Sequence, residues 1–84
     1  METPRWFATE LIKKSFDARQ MLAGGGHPLD YVNDETDMLN SNDIFELITP
    51  FLPTPMINKM ELKGLDVWTD NSLPGIFKTY FRKK

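Results

Sequence analysis

The chain has 84 residues, of which 40% are hydrophobic and 26% charged, the make-up of one small folded domain rather than of two domains or a disordered chain. Ten Lys+Arg against twelve Asp+Glu leave a formal charge of -2, so no global basic field draws the chain to nucleic acid or to an anionic membrane. Cysteine is absent and there is one histidine, which excludes disulfides, thiolate zinc sites, iron–sulfur ligation, cysteine nucleophiles and His-cluster metal sites.

Residues 1–10 form a lead-in arm. Thr3 and Pro4 are of the types that start a helix, which would set Trp6, Glu10 and Lys14 along one side. The alternative is an arm whose Trp6 or Phe7 plugs an edge of the core. Residues 11–84 then make a single domain. In residues 11–18, Ile12, Lys14 and Phe16 alternate with Lys13, Ser15 and Asp17, a strand pattern. Residues 19–26 end in Gly24-Gly25-Gly26, an interruption that neither helix nor strand carries cheaply.

Residues 27–40 read as a helix. Pro28 suits its first position, and Asp30 lies in the first turn, where the dipole favours an anion. Leu29, Val32, Thr36 and Leu39 form its apolar face. Residues 44–51 are apolar on both faces, as in a central strand, until Pro50 stops the ladder. Residues 52–64 read as a second helix, with Thr54 as N-cap, Pro55 at the first position, and Met56, Ile57, Met60 and the Lys63 stem as the buried stripe. Gly64 followed by Leu65 is the pattern of a C-terminal cap with its apolar contact. Residues 65–69 form a third strand, residues 70–75 a turn-rich loop, and residues 76–82 a fourth strand paired as a hairpin.

The order is βαβαββ. Right-handed crossovers make an α+β, two-layer α/β sandwich, with a four-stranded mixed sheet and two helices on one face. No stretch approaches the roughly 20 apolar residues of a membrane span. Residues 1–8 hold Glu2 and Arg5 without an apolar signal core, so a cytoplasmic protein is expected.

Phe16-Asp17-Ala18-Arg19, the Gly-rich turn into His27-Pro28, Glu46-Leu47-Ile48-Thr49-Pro50-Phe51 and Pro53-Thr54-Pro55 together resemble the TusA/SirA-like superfamily. Val67-Trp68-Thr69 and Phe77-Lys78-Thr79-Tyr80-Phe81 resemble most an uncharacterised, domain-of-unknown-function branch of it. The resemblance covers most of the chain, and it implies the same βαβαββ sandwich. The family's sulfur relay rests on a Cys-Pro-x-Pro motif that opens the first helix, its thiolate carrying a persulfide. Here that helix opens with His27-Pro28-Leu29-Asp30. The cysteine and the second proline are missing, and imidazole cannot hold a persulfide sulfur, so the scaffold carries over and the catalytic role does not. Members of the uncharacterised branch are associated, some by fusion, with hemerythrin-like and respiratory or denitrification proteins. The resemblance therefore implies a link to redox or respiratory metabolism.

The candidate site lies at the sheet end where both helices begin, since ligands of open α/β layers favour the carboxyl ends of parallel strands. Unpaired N–H groups at both helix starts, with Gly25 and Gly26 permitting close approach, and with Arg19, His27, Thr49 and Thr54 as donors, would suit a small anion. Against this, Thr54 can cap its own helix, Arg19 can pair with a nearby carboxylate, and the glycines can simply turn the chain. His27 has no evident nucleophile or metal partner beside it. The acidic run from Asn33 to Asp37 and from Asn40 to Asp43 lacks the glycine of an EF-hand loop and reads as a solvated face. Phe77 to Lys84 interleaves aromatic and basic residues, a pattern that can stack bases, though the negative charge of the whole chain speaks against nucleic acid. Trp68, if it faces outward beside Tyr80, would form a patch for a partner.

The expected function is a non-catalytic binding or regulatory module for a protein partner or a small anion, with no catalytic residue, no metal and no cofactor. The alternatives are a sulfur- or redox-relay component whose reactive group comes from a partner, and an RNA binder acting through the last strand.

Overall fold

The computed structural model describes residues 3–84; Met1 and Glu2 of the expected arm lie outside the described residues. The domain is built from strand β1 (Ile12–Asp17), helix α1 (Arg19–Ala23), helix α2 (Leu29–Asp37), strand β2 (Ile44–Thr49), helix α3 (Thr54–Leu62), strand β3 (Asp66–Leu73) and strand β4 (Ile76–Arg82). The sheet order is β1-β2-β4-β3. β1 runs parallel to β2, and β4 is antiparallel to both β2 and β3. This is the expected α+β fold with a four-stranded mixed sheet.

Residues paired across neighbouring strands share a face of the sheet. Phe45 pairs with Phe81 and Leu47 with Thr79, so these side chains lie together. They join Val32 of α2, Met56 and Met60 of α3, and Leu65 in a buried core, which puts α2 and α3 on one face. On α2, Val32 and Thr36 are buried, and Leu39, just past the helix end at Asp37 rather than within a helix running to residue 40, continues the stripe read from the sequence. The Thr36 hydroxyl is satisfied inside this apolar layer by donating to the Asn33 carbonyl at 3.0 Å. On the edge strand, Lys14 reaches Glu35 at 2.6 Å, and the Phe16 ring packs 4.6 Å from Tyr31. The expected alternation of β1 therefore holds from Lys14 to Asp17, but a register shift between Ile12 and Lys14 sets Ile12 opposite Ile44, on the other face.

α3 ends as its sequence predicts. Gly64 has φ +89°, a conformation that glycine adopts without a Cβ penalty. Its N–H donates to the Glu61 carbonyl, and the Leu65 N–H to the Met60 carbonyl. The motif closes over buried Leu65 and Met60, as a Schellman cap does.

Several local expectations are corrected. α1 forms between Ala18 and Gly24, where only an interruption was expected; its Leu22 packs on the core, and that contact outweighs the weak local signal. α2 begins at Leu29, with Pro28 in the cap position, and α3 begins at Thr54 itself, with Pro53 in the cap and no side-chain cap bond. Thr54 therefore does not cap its helix. Lys63 belongs to no buried stripe; its ammonium pairs with Asp37 at 2.6 Å and donates to Asn33 Oδ1 at 2.8 Å, clipping the end of α3 to α2. β3 runs on to Leu73, so the expected six-residue loop shrinks to Pro74-Gly75. A register shift between Asp70 and Leu73 takes up the turn-forming Asn71 and Ser72, and Asp70 Oδ1 accepts the Ser72 N–H there.

The second face of the sheet carries Ile44, Glu46, Ile48, Trp68, Tyr80 and Arg82, by the same register. The arm lies across it. Of the two readings of the arm, the helix does not form: Phe7 N–H donates to the Pro4 carbonyl in a turn, and Thr9–Leu11 make a single 3-10 turn. Phe7 then packs edge-on to Trp68 at 5.0 Å and to Tyr80 at 4.5 Å. Trp6 lies 5.8 Å from the Arg82 guanidinium. Placing an aromatic ring on two others outweighs the propensity of so short a helix.

Two outcomes follow for stability. Phe45→Ala removes a fully buried ring and is expected to lower unfolding free energy by about 3–5 kcal/mol in urea titration. Leu62→Ser, at a side chain that is 89% exposed, is expected to change it by less than about 0.5 kcal/mol. Tyr80 donates to Glu46 Oε2 at 2.8 Å, and burial, then the Glu46 carboxylate, raise its phenol above the ordinary tyrosine value. A raised folded value contributes stability that is whole below the ordinary pKa of about 10 and is lost as pH rises beyond it. The urea midpoint is expected to fall as pH is taken above about 10, and Tyr80→Phe to remove that part of the fall.

Candidate functional site

β1 and β2 are parallel, and both end at the same edge of the sheet, at Asp17 and Thr49. The chain leaves β1 through α1 and the glycine turn to reach α2. It leaves β2 through Pro50–Pro53 to reach α3. Between these exits lies an open cavity of about 250 Å³. α1 supplies Leu22; the entry to α2 supplies His27, Pro28 and Leu29; the end of β2 and the following loop supply Thr49, Phe51 and Pro53; α3 supplies Pro55 and Met56. The walls are apolar apart from His27 and Thr49. Phe51 is 48% exposed and Leu52 49% exposed, so apolar surface continues past the mouth.

His27 and Thr49 meet at this cavity; Arg19, Gly25, Gly26 and Thr54 are not in its walls. Arg19 turns back on Asp17, with Nε 2.9 Å from Oδ1 and a terminal nitrogen 2.6 Å from Oδ2. This pairing holds the Asp17 carboxyl below the usual carboxylate range and raises the guanidinium. Gly25 and Gly26 bring the chain around α1. The Gly26 N–H donates to the Met21 carbonyl, and a Cβ on Gly26 would stand 2.8 Å from Met21 Cγ, so the turn needs the missing side chain. Thr54 is exposed, and its N–H donates to the Leu52 carbonyl. Thr49 is buried, and its hydroxyl donates to the Phe51 carbonyl at 2.5 Å.

The Arg19 guanidinium and the Thr49 hydroxyl, two of the expected anion donors, therefore have partners within the chain. What stands open is an apolar hollow with one imidazole in its wall. Leu22, Phe51, Pro53 and Met56 were missed as site residues because each reads locally as core or turn. The local signal was Phe51-Leu52, two large apolar residues between prolines in a segment that cannot be strand. Among the described residues no cluster of His, Asp or Glu has metal-ligand geometry, and no helix is long and apolar enough to cross a membrane. Comparison with protein families, curated proteins and solved structures gives no match.

The Thr49 bond to Phe51 holds the loop that forms one wall. Thr49→Val keeps the shape but leaves that carbonyl without its donor. The expected cost is about 1 kcal/mol in urea unfolding, with amide shifts concentrated at Phe51 and Leu52 in the NMR spectrum.

Proposed function

We propose that the protein is a non-catalytic binding module that recognises a protein partner by taking one of its apolar side chains into the cavity between the starts of α2 and α3. The observation that carries this reading is the apolar hollow continued by half-exposed Phe51 and Leu52. A cavity of about 250 Å³ accommodates a single leucine- or phenylalanine-sized anchor. The rim then offers apolar contacts that a ligand confined to the hollow would leave bare. A small anion is less suited, because Arg19 is held by Asp17 and Thr49 by the Phe51 carbonyl. The scaffold is of the TusA/SirA-like kind in this reading, with its relay cysteine replaced by a docking hollow. The link to redox or respiratory metabolism then rests with the partner.

The test is affinity capture from extracts of the source cells with two baits, the wild-type protein and the double variant Phe51→Asp, Leu52→Asp. Both substituted positions are exposed, so the variant is expected to keep its circular dichroism spectrum and its urea midpoint. A protein held by the wild type is expected to be lost from the variant, and when added in pure form to shift amides of Leu22, His27, Leu29 and Met56. Capture unaffected by the variant, or shifts confined to other faces, would remove the reading.

A further inference from the structure

We propose that the arm is a displaceable strap, and that the sheet face beneath it, centred on Trp68 and Tyr80, is a docking face for an extended peptide segment bearing an aromatic ring and a free backbone carbonyl. This face is opposite the helices and does not depend on the cavity.

The strap is held by rings. Among the described residues no hydrogen bond joins Thr3–Ala8 to the sheet; their backbone bonds are turns of their own, from Phe7 N–H to the Pro4 carbonyl and from Leu11 N–H to the Ala8 carbonyl. What attaches the strap is Phe7 against Trp68 and Tyr80, and Trp6 beside Arg82. A segment with no ladder bonds opens locally at lower free energy than the strands beneath it.

The seat has a definite chemistry. Trp68 and Tyr80 face each other across the strands and stack, with ring centroids 5.4 Å apart and planes within 20°. One further ring fits against both, and Phe7 shows how. Trp68 Nε1 is buried there with no acceptor among the described residues, whereas buried N–H groups are nearly always paired. No carbonyl of the strap, among the described residues, accepts from it. The strap thus fills the ring position and leaves the indole N–H unsatisfied. A segment bringing both a ring and a free carbonyl makes one contact more than the strap does. Of the cations on this face, Arg82 is held by Asp66 and Asn42 and Lys78 stands opposite Asp70, so the face favours an uncharged peptide over a phosphate backbone.

The experiment is NMR on the full chain, reading the Trp68 indole N–H. In the wild-type protein, the Phe7 amide and the Trp68 indole N–H are expected to exchange with solvent about tenfold or more faster than the amides of Phe45 and Leu47, with weaker dependence on urea. A common rate and a common urea dependence for all four would show that the strap does not open by itself, and would overturn the proposal. In F7A the seat is vacated. An acetylated, amidated alanine pentapeptide with a central phenylalanine, added to millimolar concentration, is expected to move the Trp68 indole proton downfield saturably, and to do so less in the wild type, where the strap competes. The all-alanine pentapeptide is expected to leave it in place. No shift, an equal shift by both peptides, or a larger shift with oligouridine would overturn the docking face. Should F7A fail to fold, the peptide titration of the wild type and its exchange rates decide.

Discussion

Strand β2 has to be covered on both of its faces, and the rest of the structure is arranged around that requirement. Ile44 and Phe45 are neighbours in sequence and point to opposite sides of the sheet, yet neither has any exposed surface. Leu47 is equally buried. A strand of this kind loses most of its hydrophobic stabilisation if either side stands in water. The parallel crossover through α2 and the one through α3 supply cover on one side. Among the described residues no helix packs on the other. The aromatic side chains of β3 and β4 and the strap do that work instead, with Phe7 seated on Trp68 and Tyr80.

The two coverings differ in kind, and the difference locates the functional surfaces. The helical layer is fastened by a continuous core, by the cap at Gly64, and by Lys63 reaching across to Asp37 and Asn33. It fails to close only where the parallel strands end and the chain must turn away into two helices. There the walls are whatever the turns provide, here Leu22, Pro53, Phe51 and Met56, and an apolar hollow remains. The strap side is fastened by ring contacts alone and buries an indole N–H without an acceptor among the described residues. Incomplete packing on one face and incomplete hydrogen bonding on the other are both departures from the rule that interiors are dense and satisfied.

Much of this was legible in the chain. The doubly apolar run from Ile44 marked the central strand. The spacing of Val32, Thr36 and Leu39 marked the buried face of α2. Gly64-Leu65 marked the end of α3, and the alternation from Phe77 to Arg82 assigned each residue of β4 to its side. The end of the sheet that holds the cavity was also legible, because parallel strand ends and helix starts must meet there. Its chemistry was not. Arg19 and Thr49 are donors by type, and only the folded chain shows Asp17 and the Phe51 carbonyl engaging them. α1 was illegible because five residues between an alanine and a glycine carry almost no periodicity. The length of β3 was hidden because Asp70, Asn71 and Ser72 are turn formers that a bulge can absorb as readily as a loop can.

The sequence by itself determined the order of the strands and of the two longer helices, the mixed sheet, the side of β2 and β4 on which each side chain lies, and the absence of thiol chemistry, since these follow from periodicity, turn chemistry and residue type within a few positions of each other. The tertiary structure alone decided between the two readings of the arm, seating Phe7 on Trp68 and Tyr80, that Arg19 and Thr49 are engaged by Asp17 and the Phe51 carbonyl, and that the opening between α2 and α3 is apolar. Each of these depends on contacts between residues far apart in the chain, and their energies outweigh the local preferences of the segments that carry them.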